Sequence, residues 1–462
     1  MLSRLKQLLS STITRRSYDG AAGGRRWRGA GAMRTPFAAS LAARGPLSAR
    51  ARYLTANNAL ASAGAEAWSS ALVGTGIRPT STHPDPAFRT AAASSWESWT
   101  DRADLDEAGD LYALQALAAK RLVVDGEAFA VLSHAEDGEL RIRLLDAEQI
   151  DPTMTRELGG GARIVAGVEF DASGRRVAYH ILRDRPGLPL MSALDAVRVP
   201  ASDVIHLFKP EIPGQVRGVS WLAPIILRLR ELDEAHDAQL VRQKVAALMA
   251  GFVVDPNGDH GGLNGERDHQ GNLDGGLEPG TLKILEPGQD IRFSDPAKVG
   301  AEVIDFLRVT AKEIAAGLGV PASVITGDYA DANYSSLRAE LVTFRRRVEA
   351  LQHNVLVFQM CRPIWRRFVT AEILAGRLAA PAFEQHPEQY LAARWITPRN
   401  DWVDPAKDVS AEVEAISNGL MSRRQAVEGR GISVEELDEE IAADRQRESA
   451  LGLDFKGLGN KS

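Results

Sequence analysis

Asp255, Asn257, Asp259 and Glu266 fall at positions 1, 3, 5 and 12 of one loop, the offsets at which an EF-hand wraps calcium in oxygen ligands. The surroundings argue against a cation. His260 stands at position 6, where the sharp turn wants glycine, and Gly262 replaces the apolar anchor at position 8. The entering flank, Val253-Val254, is strand-like instead of helical, so no metal is assigned. The nine histidines (83, 134, 180, 206, 236, 260, 269, 353 and 386) never pair at ligand spacing on a helix and read as surface or packed residues. Cys361 stands alone, which rules out an intrachain disulfide and suits a packing role. Phosphate-cradling G-x-x-x-x-G-K-[ST], zinc-binding H-E-x-x-H, paired C-x-x-C and the G-x-S-x-G elbow are all missing. Carboxylate pairs such as Glu439-Glu440 lie on charged helical faces. With no catalytic residue or cofactor assigned across 462 residues, the chemistry points to a structural or assembly role.

The elements that could position such residues alternate between helix-rich and strand-rich stretches. Helical patterns cover Ala51 to Val73 and Glu107 to Leu122. Hairpin signals follow: Ala128–Ser133 with Leu140–Leu145, then Ile164–Phe170 with Arg176–Leu182 around Asp171-Ala-Ser-Gly174, and a short strand at Val204–Phe208. A stretch free of Gly and Pro from Pro224 to Ala250 predicts a long helix. The segment 256–280 is Gly- and Asn-rich and predicts a mobile loop. Thr281–Leu285 and Asp290–Phe293 predict a hairpin, and Val303 to Leu318 another helix. Leu337, Leu341, Phe344, Val348, Leu351, Val355 and Phe358 alternate spacings of four and three, a heptad seam that ends at Pro363. Such a seam suits a helix buried inside one domain and a helix packed on a neighbouring subunit equally well. Asp404-Pro405 starts a further helix, and Ser422/Gln425 and Ser433/Glu436 read as capping boxes.

Composition is ordinary for a globular chain, with 44% apolar and 25% charged residues and no apolar run that approaches a bilayer span. The net charge of −6 conceals an asymmetry. Residues 1–50 hold ten Lys and Arg against one acid, Asp19, which leaves −15 for the other 412 residues. The basic arm loosely fits a mitochondrial presequence, but its Gly/Ala/Arg content suits a flexible tail that touches nucleic acid or an acidic surface better.

Several segments, in order, resemble the lambda-type family of phage portal proteins. They are Tyr53-Leu-Thr-Ala-Asn-Asn58 with Val73-Gly-Thr-Gly-Ile-Arg-Pro79; Asp125-Gly-Glu127; Gly214-Gln-Val-Arg-Gly-Val-Ser-Trp221 with Ala223-Pro224; Gly317-Leu-Gly-Val-Pro321; Asn333-Tyr-Ser-Ser-Leu-Arg338; and Trp402 with Val403-Asp-Pro-Ala-Lys407. The resemblance implies an α+β portal fold: a mixed wing, long stem helices, a small clip between them and a helical C-terminus. It implies a non-enzymatic ring of identical subunits, typically twelve, at one capsid vertex of the virion, assembled in the host cytoplasm. Double-stranded DNA would pass through the ring without sequence readout during packaging and ejection. Other expected partners are the terminase motor, capsid and scaffold proteins, and later head-completion and tail proteins, with no membrane involved.

On this resemblance the chain divides into a basic arm (1–46), a wing (47–335), a stem helix (336–377), a clip (378–404), a second stem helix (405–430) and an acidic C-terminal helix and tail (431–462) that forms the crown or lines the channel. Leu337, Leu341, Phe344, Val348, Leu351 and Val355 would face a neighbouring subunit. Glu384, Glu388, Trp395 and Trp402 would dock the motor and adaptors. Glu435, Glu436, Glu439 and Glu440 would line the channel, where acids repel phosphates. The segment Ser336–Arg377, with eight Arg and three Glu, would turn Arg345, Arg346 and Arg347 away from DNA, because many inward arginines would grip the duplex. The competing readings are a non-portal oligomeric assembly protein associated with nucleic acid and an enzyme with an unrecognised active site.

Overall fold

A computed structural model of the chain describes residues 33, 35–184, 196–247, 251–254, 290–293, 301–330, 333–398 and 405–453. The EF-hand-like constellation, the loop 256–280, Thr281–Leu285, Trp402 and Asp404 lie outside them. Among the described residues the fold is α+β. Helix α1 (Pro36–Asn57) leads into α2 (Ala59–Val73), and Asn58 breaks the two apart by accepting the backbone N–H of Ala61 as an N-cap. Next come β1 (Arg78–Ser81), α3 (Pro86–Thr100) and α4 (Leu111–Val124), the last capped by Asp110. The buried strand β2 (Glu127–His134) pairs antiparallel with β3 (Leu140–Leu145) on one side and β9 (Val204–Phe208) on the other. Between them β4 (Arg156–Gly159), β5 (Ala162–Val165), β6 (Val168–Phe170), β7 (Arg176–Leu182) and β8 (Ala196–Pro200) form an antiparallel meander in sequence order.

The remaining helices wrap this framework. They are α5 (Ile226–Ala247), α6 (Ala301–Leu318), α7 (Ala322–Thr326) and a long kinked helix made of α8 (Tyr334–Leu351), a π-helical stretch (Gln352–Cys361) and α9 (Arg362–Leu374). Strands β10 (Gly251–Val254) and β11 (Asp290–Phe293) pair with each other between α5 and α6. After α10 (Pro387–Leu391), strand β12 (Ala393–Ile396) pairs with β1. Helices α11 (Pro405–Ser417), α12 (Arg423–Glu428) and α13 (Val434–Leu451) complete the described chain.

One large core joins α1 to α4, the three-stranded sheet, the root of α5, the end of α6 and the kinked helix. Aromatic rings cement it. Trp68 meets Trp221 at 5.1 Å and Phe344 at 5.0 Å, while Trp96, Trp99, Trp365 and Phe368 cluster at centroid distances of 4.8 to 6.1 Å. Edge-on and tilted ring contacts of this kind add about 0.5–1.5 kcal/mol per pair beyond burial.

Several sequence expectations change. The arm does not run as a tail to residue 46, because α1 begins at Pro36 and Arg44 is already 94% buried. Ile164–Phe170 is two strands, because the chain reverses at Ala166-Gly167, both at positive φ. An Ala in that conformation gives no turn signal in sequence. Asp290–Phe293 has β10 as its described partner. Pro363 does not end the helix: the π-helical stretch widens the turn just ahead of it, and its ring sits in the first turn of α9, where no N–H is needed. The same widening breaks the heptad spacing, so Phe358 points out at 61% exposure while Leu356 and Val357 turn inward. Ser422 and Gln425 form the capping box, but Ser433 donates to Glu435 Oε2 and caps nothing.

The two helical candidates for a stem differ in burial. Along the kinked helix burial rises toward the end, and Gln352, Val355–Val357, Met360, Cys361, Ile364, Trp365 and Phe368 are all core. Along α5 burial stops early, with Ile226, Leu229 and Leu232 buried and nothing buried from Asp233 to Lys244. Helix α6 mirrors this, buried at Thr310, Ile314, Ala315 and Leu318 near its end. The helices α5 and α6 pack on each other, rooted in the core at one end and carrying the β10–β11 pair at the other.

Candidate functional site

The segments Asp125-Gly-Glu127 and Gln215-Val-Arg-Gly218 meet in the centre of the molecule. Arg217 is fully enclosed and grips Glu127 with two nitrogens, Nη2 to Oε1 at 2.7 Å and Nε to Oε2 at 3.1 Å. Its remaining donors go to the carbonyls of Ala147, Ile150 and Ala166. Glu127 also accepts from Arg44 of α1 at 2.7 Å, from the Gly218 backbone N–H at 2.8 Å and from His206 Nε2 at 3.1 Å. Burial opposes its charge, but the Arg217 and Arg44 guanidiniums outweigh burial and hold its carboxyl well below the usual range. Burial pushes the His206 imidazole down to about 4, so at neutral pH it is uncharged, with Tyr179 OH 3.3 Å from Nδ1.

The segments can meet because both carry glycine. A Cβ on Gly126, which sits at φ +85°, would lie 2.1 Å from the carbonyl carbon of Val219, and one on Gly218 would lie 2.1 Å from the Gly126 oxygen. Beside this node Asp125, 1% exposed, binds Arg52 of α1, Arg121 and the Ser48 hydroxyl, and Arg52 continues to Asp146 and Glu148. Four guanidiniums thus face four carboxylates, and α1 is latched to the body by Arg44 and Arg52. Each of these charges has an opposite charge within the chain, so the cluster locks the elements that carry it together.

Three of the other resembling segments also make structural contacts. Asn58 caps α2 and donates through Nδ2 to Asp233 of α5 at 2.7 Å. The Leu318 carbonyl accepts from Trp68 Nε1 at 3.1 Å. Asn333 caps α8 by accepting from Ser336 N–H at 2.8 Å. Sequence reasoning missed Arg44 and Arg52. Their signal was available: two arginines eight apart on a helical pattern that begins at a proline.

Of the seam residues, Val348 and Val355 are buried in their own chain's core and Phe344 and Leu351 pack against it, while Leu337 and Leu341 are half-buried. Arg347 donates to the Gly319 carbonyl at 2.6 Å within the same chain. Glu384 and Glu388 are exposed, but Trp395 packs partly into the main core on the β12–β1 ribbon and is not gathered with them on a free tip. Glu436, Glu439 and Glu440 are exposed. Glu435 is engaged by Arg424 at 2.7 Å, whose hydrogen bonds hold its carboxyl at about 2. Burial pushes the Cys361 thiol up to about 12, which removes it as a nucleophile at neutral pH. Among the described residues no cluster of metal-ligating groups occurs and no helix is long and apolar enough to cross a membrane.

The profile of the family described as "Phage portal protein, lambda family" matches residues 23–352. The probable portal protein of Halomonas phage phiHAP-1 is 23% identical over 386 residues, covering 80% of this chain and 73% of that protein. Portal protein B of Escherichia phage lambda is 23% identical over 320 residues, covering 62% of this chain and 59% of its own length. The chain thus spans about three fifths of the lambda protein. Among solved structures, a chain in the virion of a native gene transfer agent particle aligns over 89% of this chain and 94% of its own, at 16% identity and a TM-score of 0.47. An HK97 family phage portal protein from Corynebacterium diphtheriae aligns over 79% and 97%, at 14% identity and a TM-score of 0.32. The profile match over most of the chain takes in the segments whose caps and charge lock organise the core, and by it the chain belongs to the lambda family of phage portal proteins.

Proposed function

We propose that copies of this chain close into a ring at the portal vertex of the capsid, a non-enzymatic duct through which double-stranded DNA enters and leaves. The observation that carries the reading is the rooted helix pair α5/α6. Along this pair Leu227, Leu240, Val241, Ile304, Phe306 and Val309 are exposed, six large apolar side chains on two helices that pack together. Apolar side chains along helices that their own subunit does not cover are what a ring interface consumes.

The stem is therefore assigned to α5 and α6, and the clip to the segment between them that contains β10 and β11. This assignment is proposed in place of 336–377, 378–404 and 405–430, because the kinked helix is sunk in the body from Val348 onward. Motor, head-completion and tail proteins would dock at the strand-bearing end. Glu384 and Glu388 sit on a segment tied to the body through β12, which suits them less to a projecting tip. The exposed acids Glu436, Glu439 and Glu440 remain the proposed phosphate-repelling surface, and Glu435 is withdrawn from that set by its bond to Arg424. A net charge of −15 outside the arm suits passage of DNA without retention.

Negative-stain imaging with light scattering tests this reading on the full chain. A ring with a central hole and a mass that is a multiple of 50.0 kDa is expected. A monomer at micromolar concentration would overturn it.

A further inference from the structure

We draw no further inference here: the strongest candidate, the groove of about 800 Å³ between α5, α6 and the N-terminus of α2, carries Asp233, Asp328 and Glu340 beside Arg308 and Lys312, and nothing in the structure shows what covers it.

Discussion

The charge lock around Glu127 and the helix pair α5/α6 use similar residues to opposite ends. In the lock, arginines and acids are enclosed and every donor of Arg217 has an acceptor inside the chain. On α5 and α6 the charges stand in solvent, as in Arg230–Glu234, and large apolar side chains lie beside them uncovered. The first arrangement fixes where α1, β2, β9 and the 214–221 segment sit relative to one another. The second holds little by itself and gains its value when another surface arrives. Stability and assembly are thereby separated, and substitutions should sort cleanly into those that unfold the subunit and those that only disperse it.

The largest effect is expected at the lock. Glu127→Gln leaves Arg217 and Arg44 enclosed without their counter-charge, which costs about 3–5 kcal/mol. Denaturant titration should show the loss, whereas replacing Glu127, Arg217 and Arg44 together by apolar residues should cost less than the single change. A loss under 1 kcal/mol for Glu127→Gln would mean that the cluster is not what holds these elements.

Gly126→Ala ranks next. An alanine at φ +85° costs about 1–3 kcal/mol in strain, and its Cβ would overlap the Val219 backbone. A lowered unfolding midpoint with no change in assembly of the folded fraction is expected.

The pH dependence follows from His206. Its folded pKa is depressed, so the stability it confers is full above the ordinary value of 6.5 and is lost as pH falls toward about 4. The denaturation midpoint should fall across that window, and His206→Gln should flatten part of the slope. The smallest effect belongs to Glu435, whose contact with Arg424 is full above the ordinary carboxylate value of 4.5 and fades toward pH 2. Both side chains are about two-fifths exposed and screened by solvent, so Arg424→Ala should shift the midpoint only slightly.

Much of this fold was legible in sequence, for definite reasons. Strands β2, β3, β7 and β9 and helices α5 and α6 announce themselves through apolar patterning and turn residues. Glu127 and Arg217 stood out by resemblance, but only the fold shows that they face one another across about ninety positions of chain. The heptad seam was read as facing a neighbouring subunit; in the fold Val348 and Val355 are buried in their own subunit and Leu337, Leu341, Phe344 and Leu351 are half-buried. Which body it is buried against is a tertiary fact that a spacing of four and three does not encode. The uncovered apolar side chains of α6 were illegible because their meaning lies in what does not cover Phe306, Val309 and Ile304. Exposure of that kind has no periodicity of its own.

The central claim is that copies join through the α5/α6 pair and that the seam belongs to the subunit's own core. Light-scattering mass, measured beside the unfolding midpoint, tests it on Phe306→Asp and Val348→Asp. Phe306→Asp is expected to yield folded monomers with an unchanged midpoint, while Val348→Asp lowers the midpoint, because a charge that enters the core costs several kcal/mol of unfolding free energy. An intact ring from Phe306→Asp, together with folded monomers from Val348→Asp, would contradict it.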